Sequence, residues 1–153
     1  MASDLQNELH QTKPFSSVET EAVLSILRTA GLLEGEITEA LKPHDLTPTQ
    51  YNVLRILRGA QDGGLCRYEV SDRLLTPGPD VTRLLDRLEE SGFVRRAKDP
   101  ADRRRVRAHI TEDGLNVLDE LDNVLNTLHQ RQLDNLDDGE LQTLIDLLAR
   151  ARR

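Results

Sequence analysis

The chain has 153 residues with 3% aromatics, no Trp and abundant Leu, Asp, Glu and Arg, which points to one mainly α domain over 1–153 with a sizeable core. A single cysteine excludes an intramolecular disulfide framework, and no run approaches the ~20 apolar residues that span a bilayer, so a soluble, cytoplasmic protein with no membrane partner is expected. The formal net charge of −7 argues, taken whole, against a nucleic-acid binder.

Residues 1–15 are polar, contain Pro14 and lack a clear period, as in a loose arm or a short frayed helix. A long helix is expected from about Ser17 to Leu41, capped by Ser16 or Ser17, with Glu19 and Glu21 near its positive end. Ile26, Ala30, Leu33, Ile37 and Leu41 form one apolar stripe along it. Gly31 and Gly35 each cost up to ~1 kcal/mol relative to Ala, which close approach of another helix would justify. Pro43 ends this segment.

The next start signal is complete. In LTPTQY, Thr47 is the N-cap, Pro48 the first helical residue, Gln50 the partner in a capping box, and Leu46 with Tyr51 a hydrophobic staple. Val53, Leu54 and Leu57 carry the buried face to about Arg58, and AQDGG breaks the helix. Leu65-Cys66 makes a minimal extended segment before a helix from about Tyr68 to Leu75.

The turn TPGP, Thr76 to Pro79, separates that helix from the next, with Pro79 placed at the first helical position. Val81, Leu84, Leu85 and Leu88 then follow the i, i+3, i+4, i+7 spacing of a helix face packed on a core, and Gly92 stops the helix. After Gly92 the period changes to two. Val106, Ala108 and Ile110 point one way and Arg105, Arg107 and His109 the other, Phe93 to Lys98 is the partner strand, and DPADRR is the hairpin tip. Helix, short turn, helix and two-stranded β wing together describe a winged helix-turn-helix over 47–110.

Thr111 caps a further helix through Leu118, Leu121, Leu125 and Leu128, widened by Val117 and Val124. After a break near Asp137-Asp138, a last helix carries Leu141, Leu144, Ile145 and Leu148. These helices hold more apolar face than the winged motif can cover. They either pack on one another in a monomer or, the favoured alternative, the helices of 17–42 and 112–150 form a dimerisation domain, since helix-turn-helix readers generally use two half-sites.

The charge is unevenly spread, and its distribution outweighs the net value. Residues 1–65 carry 5 Lys/Arg against 9 Asp/Glu, residues 110–153 carry 4 against 10, but residues 66–109 carry 11 against 8. The hairpin from Arg95 to Arg107 alone has seven basic residues against Asp99 and Asp102. Such a patch is an ordinary solvated loop or a surface for a phosphate backbone, and the helix pair before it favours the second. On the second helix, Thr82 can bond a base edge or touch a thymine methyl, Arg83 can pair with guanine or phosphate, and Arg87 is better placed for phosphate. Asp80 repels phosphate, so a capping role is preferred to contact with cytosine. Arg103 and Arg104 at the wing tip suit a narrow minor groove, while Arg95, Arg96, Lys98, Arg105 and Arg107 supply phosphate attraction.

Three stretches, LTPTQYNVLRIL, VTRLLDRLEESGFVRR and DPADRRRVRAHITEDG, in this order and spacing, give the chain a strong resemblance to MarR-family transcriptional regulators. The resemblance implies a homodimer whose terminal helices form the dimer domain and whose two winged motifs read a pseudo-palindrome in double-stranded DNA, more often as a repressor. It implies that Asp102 pairs with Arg104 to hold the wing. Pro79-Asp80 departs from the small hydroxyl residues many members carry there, which affects base preference rather than binding mode. Small anionic or phenolic effectors often weaken DNA binding in the family. The corresponding neighbourhood here is Leu32–Glu36, His44, Tyr51 and Arg55, although structural roles for these residues are favoured.

Other classes have less support. Cys66, beside Arg67, is the sole candidate for thiol-based redox sensing, but its position differs from that of the family's sensing cysteines, and a small apolar role is favoured. His10, His44, His109 and His129 show no ligand spacing, so neither metal nor cofactor is expected. No catalytic motif marks an enzyme. A winged helix used only for protein contacts has no need of the basic wing or of Arg83 and Arg87.

Overall fold

Capping chemistry sets the helix starts in the computed structural model, which describes residues 1–153. The chain divides into two compact units, Met1–Glu39 and Ala40–Arg153. In the first, helix α1 (Asp4–Glu8) begins where Ser3 Oγ accepts the Gln6 N–H at 3.3 Å. Helix α2 (Val18–Leu41) begins where Ser17 Oγ accepts the Thr20 N–H at 3.1 Å. Arg28 lies 3.5 Å from Glu8.

The stripe expected along α2 is only partly covered. Leu41 is fully buried, Leu33 and Ile37 are half-buried, and Ile26 and Ala30 are exposed. Val18, Val23, Leu27 and Leu32 are exposed as well. A Cβ at Gly31 or Gly35 would stand in open space, so no neighbouring helix of their own unit requires glycine there.

The second unit holds the winged motif. After a one-turn 3-10 helix over Lys42–His44, helix α3 (Pro48–Ala60) starts with the expected capping box. The Gln50 N–H donates to Thr47 Oγ1 at 3.1 Å and the Thr47 N–H to Gln50 Oε1 at 3.0 Å. Strand β1 (Leu65–Cys66) leads directly into helix α4 (Arg67–Arg73), and helix α5 (Val81–Glu90) follows the turn. Strands β2 (Val94–Lys98) and β3 (Val106–Ile110) form the wing hairpin, with Val94 opposite Ile110 and Lys98 opposite Val106. The sheet has three antiparallel strands in the order β1-β3-β2, because Leu65 pairs with Ala108 and Cys66 with Arg107. The expected two-stranded wing is therefore anchored by a third strand too short to show a period of its own.

Val53, Leu54 and Leu57 of α3, Val70 of α4, Val81, Leu85 and Leu88 of α5, and Val94 and Ala108 of the sheet are buried together as a core beneath α5. Each fully buried leucine contributes about 1.5–3 kcal/mol by leaving water. Leu84, expected in this face, is half-buried at its edge. Along β3 the apolar face leaves the core toward the tip, Ala108 being buried and Val106 exposed.

Pro79 does not occupy the first helical position. Asp80 is the N-cap, extended at φ −74° and ψ 98°, and its carboxylate accepts the Arg83 N–H at 3.2 Å. A side-chain acceptor at Asp80 satisfies an orphan amide, which proline at the helix start cannot do. Asn52 of α3 holds the turn by accepting the Leu75 N–H at 3.0 Å.

Gly92, with φ +82°, reverses the chain after α5 in a conformation that glycine adopts without a side-chain clash. Thr111 then joins both ends of the hairpin. Its hydroxyl donates to the Gly92 carbonyl at 2.6 Å and accepts the Gly114 N–H at 3.1 Å, capping helix α6 (Glu112–Gln132). Val117, Leu118, Leu121, Leu125 and Leu128 are buried and Val124 is exposed. Helix α7 (Asp138–Ala151) starts in a capping box between Asp137 and Glu140, and none of its residues is buried. Leu144, Ile145 and Leu147 project into solvent.

Candidate nucleic-acid interface

Helix α5 is fixed from below by its buried face, so the opposite side is presented rigidly. Thr82, Arg83 and Arg87 are all exposed there, and neither arginine has a carboxylate partner. The Asp80 cap orders the first turn, which places Thr82 and Arg83 at the leading end of the helix.

The wing tip is held by two aspartates. Asp102 Oδ1 accepts the Arg104 N–H at 3.1 Å and its carbonyl accepts the Arg105 N–H at 2.9 Å. Its carboxylate also lies 3.6 Å from Arg104 Nε and 4.0 Å from Arg105 Nε. The Arg104 side chain is 95% exposed, so this ion pair is weakly held and the backbone bonds shape the turn. Arg103, Arg104 and Arg105 all project from the tip.

Asp99 anchors the other side. Its carboxylate accepts the Ala101 N–H at 2.8 Å and Arg107 Nε at 2.9 Å, and its own N–H donates to the Arg105 carbonyl at 2.9 Å. The Ala101 amide, and after it the Arg107 guanidinium, hold the Asp99 carboxyl below the usual carboxylate range. Arg107 extends the tie to the Gly64 carbonyl at 3.2 Å and lies 3.8 Å from Glu69. Expected as a phosphate contact, Arg107 instead joins the wing to the β1–α4 corner. From sequence, Asp99 reads only as a turn former, because its partner lies eight residues away across a hairpin.

Arg96 also differs from expectation. Its Nε and Nη2 donate to Glu89 Oε1 at 3.3 and 3.0 Å, its N–H donates to Glu89 Oε2 at 2.8 Å, and its guanidinium meets Asp86. The Arg96 side chain, followed by its amide, holds the Glu89 carboxyl below its ordinary range. With both carboxylates on α5, Arg96 is neutralised within the protein and clamps the wing to α5. Arg95 and Lys98 remain exposed.

A cleft of about 790 Å³ opens between α4, α5 and the wing, lined among others by Tyr68, Thr82, Leu85, Arg96, Arg104 and Val106. His44, Tyr51 and Arg55 do not line it. His44 Nδ1 lies 3.8 Å from Glu120, and the Arg55 guanidinium sits 5.9 Å over the Tyr51 ring. Burial pushes the Tyr51 hydroxyl up, and the adjacent Arg58 forms a two-pronged pair with Asp122 at 2.8 and 3.2 Å. Arg58 and His44 tie the α3 side of the unit to α6, while Arg55 and Tyr51 contact each other within α3.

Cys66 is half-buried, and the Glu69 carboxylate accepts its N–H at 2.8 Å. Arg67, the neighbour of Cys66 in sequence, turns to Tyr68. Its Nη2 donates to the phenolic oxygen at 2.8 Å, and its guanidinium stands 4.6 Å from the ring centroid.

Comparisons with known proteins agree with this geometry. A sequence model described as MarR family matches residues 44–105, from the loop before α3 to the wing tip. The uncharacterised helix-turn-helix transcriptional regulator YkoM of Bacillus subtilis is 32% identical over 143 residues, covering 90% of each chain. The transcriptional repressor IacR of Pseudomonas putida is 28% identical over 123 residues, covering 80% of this chain and 72% of IacR. The crystal structure of a MarR transcription factor from Planctomyces limnophilus superposes with a TM-score of 0.69 at 37% identity, covering 89% of this chain and 98% of the other. The capped recognition helix, the arginine-tipped wing and these likenesses over nearly the whole length make the chain a member of the MarR family of winged helix-turn-helix transcriptional regulators, which bind DNA and are not enzymes.

Proposed function

We propose that the chain acts as a homodimeric repressor, reading a pseudo-palindromic operator with α5 in the major groove and the wing tip in the adjacent minor groove. The observation that carries this is the rigid presentation of Thr82, Arg83 and Arg87 on α5 beside Arg103, Arg104 and Arg105 of the wing. Thr82 and Arg83 read base edges, while Arg87 and Arg105 meet phosphate. Arg103 and Arg104 enter the electronegative minor groove.

Exposed apolar side chains support the dimer. Val18, Val23, Ile26 and Leu27 on α2, and Leu144, Ile145 and Leu147 on α7, stand in solvent in a single chain. Such faces mark association surfaces, and a second copy pairs like with like about a two-fold axis. The reading as a repressor is supported by the likeness to IacR. A small anionic or phenolic effector would lower operator affinity, and the cleft beside Thr82, with the exposed Arg104 on its wall, supports such regulation.

Replacing Arg83 with Ala tests the reading. Operator affinity should fall by roughly 1–3 kcal/mol while affinity for random duplex changes little, narrowing the gap between them. Equal losses on both duplexes would remove the base-reading role. Light scattering at micromolar concentration should give the dimer mass, and a stable monomer would overturn the symmetric arrangement.

A further inference from the structure

We propose that Arg67 and Tyr68 form a paired clamp for a DNA backbone phosphate, extending the interface beyond the recognition helix and the wing. The inference rests on the reading of α5 and the wing as the DNA-facing surface. A helix in the major groove and a wing tip in the neighbouring minor groove are separated by one sugar–phosphate strand, which must cross the protein surface between them. Arg67 and Tyr68 lie on that surface. Both border the cleft shared with Thr82, Arg104 and Arg105, and both border a smaller hollow of about 250 Å³ shared with Asp80 and Thr82 at the start of α5.

The pair is built to meet an anion. Tyr68 is 66% exposed, in a chain with only two tyrosines and two phenylalanines. Arg67 is exposed too, and its only hydrogen bond is to the Tyr68 oxygen, with no carboxylate in range. Arg96 and Arg107, by contrast, each engage carboxylates within the protein. Because Tyr68 Oη accepts from Arg67, the phenolic proton is left to donate outward, and the cationic donor strengthens it for that purpose. The guanidinium keeps most of its five N–H donors free. Stacking on the ring restricts the arginine, so less rotamer entropy is lost when a phosphate arrives. Two converging donors and one unneutralised positive charge match a phosphate oxygen pair, a contact that fixes register and carries no sequence information.

Binding of the full-length dimer to its operator and to random duplex, measured over a range of salt, tests the assignment. Tyr68→Phe keeps the ring on which Arg67 stacks and removes only the hydroxyl. It should weaken both duplexes alike by roughly 2–10-fold, leaving the ratio between them unchanged. Arg67→Gln should make the salt dependence shallower by about 0.9 in the log–log slope on both duplexes. Unchanged affinity and slope in both variants, with wild-type binding intact, would overturn the clamp and leave α5 and the wing as the reading surface. A loss confined to the operator would also overturn it, by assigning Tyr68 to a base. If the wild type binds neither duplex, the underlying reading of the surface fails, whatever the variants do. Urea midpoints equal to wild type are expected for both variants, since neither side chain is buried.

Discussion

Replacing Arg96 with Ala removes the guanidinium that ties the wing to the recognition helix. The side chain makes two hydrogen bonds to Glu89, at 3.0 and 3.3 Å, and an ion pair with Asp86. Hydrogen bonds to charged groups reach about 1.5–3 kcal/mol when shielded, but exposed pairs give only about 0.2–1 kcal/mol. Glu89 and Asp86 are 40% and 49% exposed, which places this cluster near the lower range, at about 1–2 kcal/mol in all. The Arg96 amide still donates to Glu89, so the hairpin stays attached at one point. Urea unfolding should therefore show a lower midpoint with an unchanged m-value. Operator and random duplex should both bind more weakly, because the wing loses its fixed angle to α5, yet the salt slope should stay as in wild type. An unchanged midpoint together with a slope shallower by about 0.9 would refute the clamp and return Arg96 to the phosphate backbone.

Gly114→Ala should destabilise the fold by about 1–3 kcal/mol in urea unfolding, because the added Cβ would lie 2.5 Å from the Phe93 carbonyl oxygen and 2.6 Å from Ile110. That carbonyl also accepts the Thr111 N–H at 2.9 Å, so the backbone there has little freedom to yield. Burial, followed by the charge of Arg95, lowers the pKa of His109 in the folded state. Below about pH 6.5 the unfolded chain takes up this proton first, so stability falls until the folded pKa is passed and then levels off. The drop in urea midpoint between pH 7.5 and 5.5 should be smaller in His109→Gln, and an equal drop would exclude the imidazole as its source. Glu89 and Asp99 act at lower pH. Their lowered pKa values contribute stability above the ordinary carboxylate range, and it is lost as acid protonates them in the fold.

Local chemistry is the legible part of this fold. The Thr47–Gln50 box, the apolar face of α5 and the hairpin after Gly92 each depend on neighbours within a few residues, and each appears where expected. Pro79 and Asp80 both suit a helix start, and only the capping bond of Asp80 decides between them. Charge count overstates the free basic surface. Arg96 and Arg107 meet partners brought close by the hairpin and by β1, contacts that composition and spacing do not encode. Tyr68 carries a readable signal, an aromatic beside an arginine in a chain with few aromatics, but its position beside Thr82 requires the fold. The stripe on α2 is legible as apolar, while its exposure emerges only once the single chain is folded.

Selection of bound fragments from genomic DNA tests the symmetric reader most directly. The expected result is enrichment of an inverted repeat whose half-sites lie about one helical turn apart, 10–10.5 base pairs or a multiple, with two chains bound per site. A single unrepeated site holding one chain, or no enrichment over random fragments, would contradict it.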